Sequence, residues 1–371
     1  MPKSIKKILK IIIINFLLII GLLIILNIGA ITVFKINRIK NNLTKPDFSD
    51  SRTFLPNYKD VNWAGKHFVE FRQLPTEYRS YVGWRRLPFK GETINIDNNG
   101  IRNTVQHPLA NDSSKLAVFI GSSTVWGTGV NDVNTIPSHF SNISKGEYLA
   151  INLGETEYNV YQSFITLKLQ LKNGLRPDIV ISYEGPNMGG KLVEGAKVFG
   201  NTREKYINSI IADQDRRLSI QLSYRHYFFN KLQLFISAMN KKFSKNPKTK
   251  FDTSEEKIEL IAKSLCDTWL ETKYLTERYG ADFIAILEPN IAIGNPNLSH
   301  LDYKDPSRGG YKKLYLKIEE LLAKKEYQKL QSSLLFIPSV FDCDDYIYID
   351  RVHVSPLGNK LIAERIYNRL K

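Results

Sequence analysis

Two short stretches of the chain combine residue types that can do acyl chemistry. Gly121-Ser122-Ser123-Thr124 closes an apolar run, and Asp350-Arg351-Val352-His353 lies just ahead of the last helical stretch. A serine hydroxyl attacks a carbonyl when a base takes its proton, and imidazole serves as that base when a carboxylate fixes its far ring nitrogen. Three residues apart on a tight loop, Asp350 can reach Nδ1 of His353. Each stretch alone also has a plainer reading. Paired Ser and Thr residues cap helices, and an Asp and a His occur together in many exposed loops. The Gly-x-Ser-x-Gly elbow is not formed, because Val125 stands where the second Gly would be.

Two further positions fall into the same frame. Gly154 ends a second apolar run, where a bare backbone lets an N–H approach a ligand. Asn187, in Gly185-Pro186-Asn187, ends a third, and its amide can donate to an oxyanion. Taken singly, both read as turn residues. Ser122 is the neighbouring alternative to Ser123, since side chains adjacent at a strand end point in different directions.

The elements that must hold these residues follow from the pattern. Leu116–Gly121, Tyr148–Gly154, Asp178–Gly185, Ala281–Glu288 and Leu334–Ser339 read as short buried strands. Tyr158–Lys172, Glu255–Tyr279, Gly310–Lys325 and Ser355–Leu370 read as helices between or after them. Pro356 stands in the first turn of the last helix, where its missing N–H costs nothing. Buried strands alternating with helices make a parallel sheet covered on both faces, with ligands outside the strands' carboxyl ends. All four chemical positions lie at that edge.

In that order and context the blocks Gly121-Ser122-Ser123, Asn152-Leu153-Gly154, Gly185-Pro186-Asn187 and Asp350-Arg351-Val352-His353 resemble those of the SGNH (GDSL-like) hydrolases. The resemblance covers about 116–186 and 334–371. It implies an α/β fold, a three-layer α/β/α sandwich with a mostly parallel, flavodoxin-like five-stranded sheet. It also implies Ser123 as nucleophile, His353 as base and Asp350 as its orienter, with the Ser123 N–H, the Gly154 N–H and the Asn187 side chain as oxyanion donors. The family's usual Asp before the nucleophile is Ser122 here, and Met188 stands where an Asp commonly follows the third block. Ser123-Thr124-Val125-Trp126-Gly127 and the stretch Asp97–Thr104 are similar to membrane-anchored members found with envelope polysaccharide genes. The function this implies is hydrolysis of an acyl ester, such as an O-acetyl group on an envelope carbohydrate, through an acyl-enzyme and without a cofactor or metal. An O-acyltransferase acting on a polysaccharide through the same triad is the alternative enzyme. A non-catalytic polymer-binding or scaffold protein is the alternative of another class.

Charge and composition narrow the remainder. The chain of 371 residues is 43% hydrophobic and carries a formal charge of +15. Residues 1–45 contribute +8 and residues 188–253 another +8, so the rest sums to −1. Basic residues gathered beside an apolar segment and in one insertion argue against nucleic acid and for anionic lipid or an acidic polymer. Ile11 to Phe34 is an uncharged run of 24 residues. As a helix it would reach roughly 36 Å, enough to span a bilayer core. It reads as a signal anchor with the large C-terminal part outside the cytoplasm, a cleaved signal peptide being the alternative. Lysines and arginines flank it evenly, so charge does not settle its orientation.

The expected organisation is a basic anchor segment over 1–40, a stalk and N-terminal accessory segment over 41–110, and a hydrolase domain over 111–371. Within the accessory segment, Gly91–Ile96 alternates like a strand. The domain carries a helical basic insertion at 188–253, which holds Tyr224–Phe229 and reads as a lid, a polymer-binding rim or an extra helical pair. Cys266 and Cys343 lack metal-site spacing and read as free thiols, with a single bridge as the alternative. His67, His107, His139 and His300 have no motif around them and read as ordinary core or surface residues. Nothing in the spacing matches a P-loop, a dinucleotide fingerprint or HExxH.

Overall fold

The five apolar runs become one parallel sheet. Its strands are β1 (Lys115–Gly121), β2 (Tyr148–Asn152), β3 (Ile179–Glu184), β4 (Asp282–Leu287) and β5 (Leu334–Leu335). They lie in the order β2-β1-β3-β4-β5, every neighbouring pair parallel. This is the flavodoxin-like order, which reverses direction between β1 and β3 and opens a crevice at their carboxyl ends. The structure is a computed structural model; it describes residues 2, 4–22, 50–204, 206–211, 250–301 and 308–371.

Alternation along the strands splits the core in two. Val118, Ile120, Val180, Phe283 and Ala285 pack on one face with Leu167, Ile261, Trp269 and Leu314 from the helices Val160–Lys172, Glu255–Arg278 and Arg308–Leu322. Ala117, Phe119, Ile181, Ile284 and Ile286 pack on the other with Phe140 and Ile362 from Ile136–Ile143 and Pro356–Leu370. Each fully buried aliphatic or aromatic side chain contributes about 1.5–3 kcal/mol. Local chemistry sets the helix starts. Asn159 forms a capping box with Gln162, and Thr135 and Ser355 cap their helices with Pro in the first turn. The helix Ile136–Ile143 is an element the sequence pattern did not reveal.

Two expected strands are shorter than read. Leu334–Ser339 pairs only through Leu334 and Leu335, because the chain turns at Ile337–Val340 around Pro338, which has no N–H for the ladder. Gly91–Ile96 shrinks to Asn95–Ile96, paired with Phe89–Lys90, because the Glu70 carboxylate takes the N–H groups of Glu92, Thr93 and Ile94.

The N-terminal segment is a larger departure. From Asp50 on, the stretch expected to be a stalk is folded. Asp50 caps the short turn Ser51–Phe54, and residues 49–208 and 248–371 form one compact unit. Three small cores tie residues 55–96 to the loops at the carboxyl edge. Tyr58 and Phe68 pack with Ile349, Leu74 and Ile94 with Trp126, and Trp84 with Tyr158. The accessory segment is therefore a wall of the site, built by burial of aromatic rings.

Residues 4–22 form a helix belonging to a second unit. Among the described residues no helix is long and apolar enough to cross a membrane. The expected span Ile11–Phe34 is helical over 11–22, and its remainder, 23–34, lies outside the described residues. Most of the basic insertion, 212–249 with Tyr224–Phe229, also lies outside them.

Candidate active site

Ser123 stands two residues beyond β1, at the first position of the short helix Ser123–Trp126. Its N–H therefore has no intrahelical partner. Ser122 precedes it with extended backbone, and its side chain makes no capping bond. The helix ends at Gly127 with φ 96°, a left-handed conformation suited to glycine. Behind this turn lies Arg102, a fully buried cation. It pairs with Asp132 at 3.0 Å, donates to the carbonyls of Trp126, Gly127 and Val130, and lies 4.4 Å from the Trp126 ring. Burial lowers its pKa, offset by Asp132. The loop after Ser123 is thus held by a buried charge that donates to three of its carbonyls.

Asp350 and His353 come together on a loop closed by the bridge between Tyr348 and Val354. Asp350 Oδ1 accepts the N–H groups of Val352 and His353, which turns the carboxylate under the ring. His353 Nδ1 lies 2.9 Å from Asp350 Oδ1 and 2.8 Å from Oδ2, and His353 Nε2 lies 2.8 Å from Ser123 Oγ. Burial alone would raise the pKa of Asp350. His353 and the two backbone N–H groups outweigh it and hold the carboxyl well below the usual range. An ionised carboxylate only accepts, so the imidazole hydrogen sits on Nδ1 and Nε2 accepts from the serine. Ser122 Oγ instead lies 3.4 Å from Thr124 Oγ1.

The structure brings Ser123, Asn187, Asp350 and His353 to one cleft of about 520 Å³. Asn187 lies in the helical turn Pro186–Gly189, and Nδ2 donates to the Tyr158 carbonyl at 2.7 Å. An amide nitrogen carries two hydrogens, so one remains to donate. Gly154 is placed otherwise. Its N–H donates to Asn152 Oδ1 at 3.0 Å, and the residue does not line the cleft. The Asn152 side chain, which also donates to the Val125 carbonyl, closes a turn on it and directs the N–H back over the strand end. In this arrangement the Gly154 N–H is engaged within its own turn, and the residue also packs closely against the Ser123–Trp126 helix. A Cβ at this position would lie 2.6 Å from Trp126 N, so only glycine lets the Ser123–Trp126 turn rest here.

Spacing did not reveal several cleft residues. Arg52, Phe71, Arg72 and Arg86 line it from the N-terminal segment, and Thr128 and Tyr311 from elsewhere. Arg86 is buried against Glu155 at 3.4 Å and donates to Thr156 Oγ1. Arg102 did lie within the stretch Asp97–Thr104 that the resemblance had singled out. His67 is a core residue whose Nε2 accepts the Gly129 N–H, and burial lowers its pKa well below the ordinary value. Cys266 and Cys343 are free thiols. Among the described residues no group of His, Cys, Asp and Glu is arranged to hold a metal ion.

No family model and no curated protein matches the chain. Among solved structures it is similar to an acetyl xylan esterase, at 12% identity over 69% of this chain and 100% of that one, with a TM-score of 0.41. It is also similar to a carbohydrate acetylesterase from Sinorhizobium meliloti, at 12% identity over 69% and 98% with a TM-score of 0.38. A third is a lipolytic protein of the G-D-S-L family from Veillonella parvula DSM 2008, at 11% identity over 69% and 97% with a TM-score of 0.38. These likenesses are distant, and the chemistry rests on the side chains themselves.

Proposed function

We propose that the chain is a serine hydrolase that cleaves acyl esters, with Ser123 as nucleophile, His353 as general base and Asp350 as the group that orients it. The observation that carries this reading is the unbroken chain of hydrogen bonds from Ser123 Oγ through His353 to Asp350. Ser123 attacks the ester carbonyl as its proton passes to His353 Nε2. The Ser123 N–H and the remaining amide hydrogen of Asn187 stabilise the tetrahedral oxyanion. His353 returns the proton to the departing alcohol, leaving an acyl-enzyme. Water then attacks that ester with His353 again as base, releasing the carboxylic acid and restoring the serine.

The substrate we propose is an acylated carbohydrate carrying a small group such as acetyl. An open cleft lined by Asn187, Thr128, Thr156, arginines and the rings of Phe71 and Tyr311 suits a hydroxyl-rich ligand. We further propose that residues 11–34 anchor the chain and hold this site outside the cytoplasm, a reading supported by the uncharged run between basic flanks.

The test is incubation of the full-length chain in detergent with an acetylated polysaccharide, following free acetate, with Ser123→Ala as the control. Acetate release no greater than in the control overturns the proposal. Acetyl groups appearing on an added acceptor sugar in place of acetate would assign acyl transfer instead. A reporter fused after Lys371 that is active only in the cytoplasm would reverse the orientation.

A further inference from the structure

The triad carboxylate has a partner some 300 residues away in sequence. Arg52 Nη1 lies 3.0 Å from Asp350 Oδ2, the oxygen that is also 2.8 Å from His353 Nδ1. The rest of the guanidinium is fixed. Nε and Nη2 bond the two oxygens of Asp50 at 3.0 Å each, and the Phe68 ring centroid lies 4.6 Å from its carbon. With Val352 and His353 N–H groups on Oδ1, both oxygens of Asp350 are shared between the imidazole and other donors. A cation held on three sides, with its free edge toward a catalytic carboxylate, does more than fill space.

We propose that Arg52 is a positioning residue of the site, which fixes the Asp350 carboxylate and draws on its charge, so that the hold of Asp350 on the His353 ring is set by Arg52 and Asp50. A bare carboxylate favours the imidazolium, and a guanidinium beside the same carboxylate opposes that effect. Asp50 limits the opposition by neutralising part of the arginine. The order is therefore a relay of alternating charge, Asp50, Arg52 and Asp350, that ends on the His353 ring. The proposal rests on the triad reading above.

Other groups face this cluster. Tyr58 and His67 come from the N-terminal segment and Glu288 from the end of β4; burial moves the pKa of each toward its uncharged form. Arg72 acts on Asp50, and Arg86, Glu157 and Arg351 line the same cleft. None of these is altered in the variants below, so differences between them report the relay itself.

The experiment is an NMR titration of the His353 ring in the full-length chain, assigned by the signal lost in His353→Ala. Arg52→Gln should raise the His353 pKa by roughly half to one unit, because the opposing cation is gone. Asp50→Asn should lower it by a few tenths, because the arginine then acts on Asp350 undiminished, and Arg52→Lys should leave it within about 0.3 of the parent. Shifts of the same sign in Arg52→Gln and Asp50→Asn, or no shift in either, overturn the proposal, since a strut would not give opposite signs. If Arg52→Gln does not fold, a fall in Asp50→Asn still supports the relay and a rise or no change overturns it. The acid limb of kcat/KM on a small neutral acetyl ester should move with the NMR values, with KM changing less than about twofold. Absent turnover in the parent chain would sink the hydrolase reading while leaving the NMR shifts to judge the relay. Normal turnover with an unmoved His353 would sink the relay alone.

Discussion

Thr124, the residue after the proposed nucleophile, donates its hydroxyl to Glu288 Oε2 at 2.8 Å. Glu288 is 1% exposed and its N–H donates to the carbonyl of Glu184, which is itself fully buried at the end of β3. Burial pushes both carboxyls up, Glu184 to about 8 and Glu288 well above the ordinary range, with the Thr124 hydroxyl pulling Glu288 only partly back. Burial thus favours the protonated form of both acids at the sheet edge beneath Ser123.

This arrangement has a measurable cost. A carboxyl whose folded pKa is raised contributes stability that is fully present below its unfolded value and is lost as the pH rises toward its folded value. For Glu184 that window runs from 4.5 to about 8. Across it the native state retains a proton that the unfolded chain has released, and stability falls by up to about 1.4 kcal/mol per pH unit. Glu184→Gln should flatten the decline in unfolding free energy between pH 5 and pH 8. Denaturant titrations at both pH values check this, and equal declines in parent and variant would show that Glu184 ionises as it would in water.

The two adjacent serines separate cleanly. Ser123 Oγ meets His353 and Ser122 Oγ faces Thr124. Ser123→Ala should lower kcat by about 10⁴-fold or more and abolish labelling by a serine-reactive phosphonate. Ser122→Ala should keep labelling and cost less than about tenfold, since it removes a buried hydroxyl whose contact with Thr124 Oγ1 is already long at 3.4 Å. Mass spectrometry of the labelled peptide decides between them.

The strands were legible because each is a run of buried apolar residues, and the site loops because strand ends and the spacing Asp350-x-x-His353 are local features. What escaped was assembled by distant contacts. Arg52 and Arg102 are ordinary arginines in a polar sequence, and only folding reveals that one meets Asp350 and the other is sealed behind Trp126. The helix Ile136–Ile143 has only eight residues, too short a window for its apolar face to stand out as a helical period. Gly154 was recognised as a glycine that matters, but the contact requiring it is the approach of Trp126 N, which no spacing encodes.

Asn187 and Gly154 therefore differ in what their loss should do. Asn187→Ala removes the proposed oxyanion donor and should lower kcat by about 10²–10³-fold with little change in KM. It should leave the melting temperature nearly unchanged, since Asn187 is only partly buried. Gly154→Ala should destabilise the fold by about 1–3 kcal/mol, because a methyl group pressed on the nucleophile turn must displace it. Its activity should fall through that displacement, and a crystal structure of the variant should show Ser123 moved away from His353. A Gly154→Ala variant as stable as the parent would mean that Gly154 does not pack tightly on Trp126 N.

Asp350 offers the most demanding check on the triad, because its carboxylate serves the loop as well as the ring. Oδ1 accepts two backbone N–H groups, and both oxygens lie within 2.9 Å of His353 Nδ1. Asp350→Asn keeps the shape and one accepting oxygen. The backbone N–H groups will claim that oxygen, which turns the amide nitrogen toward the imidazole. A donor facing Nδ1 selects the other tautomer, with hydrogen on Nε2, and Ser123 then loses its base. We expect kcat to fall by about 10³–10⁴-fold with the loop conformation retained. The native carboxyl, held below its ordinary range by His353 and the loop N–H groups, contributes stability above the unfolded pKa of about 3.8 that is lost as the pH falls toward its folded value. Acid unfolding of the parent should therefore show a step that Asp350→Asn lacks. A variant with near-parental kcat would mean that His353 is oriented by something other than Asp350.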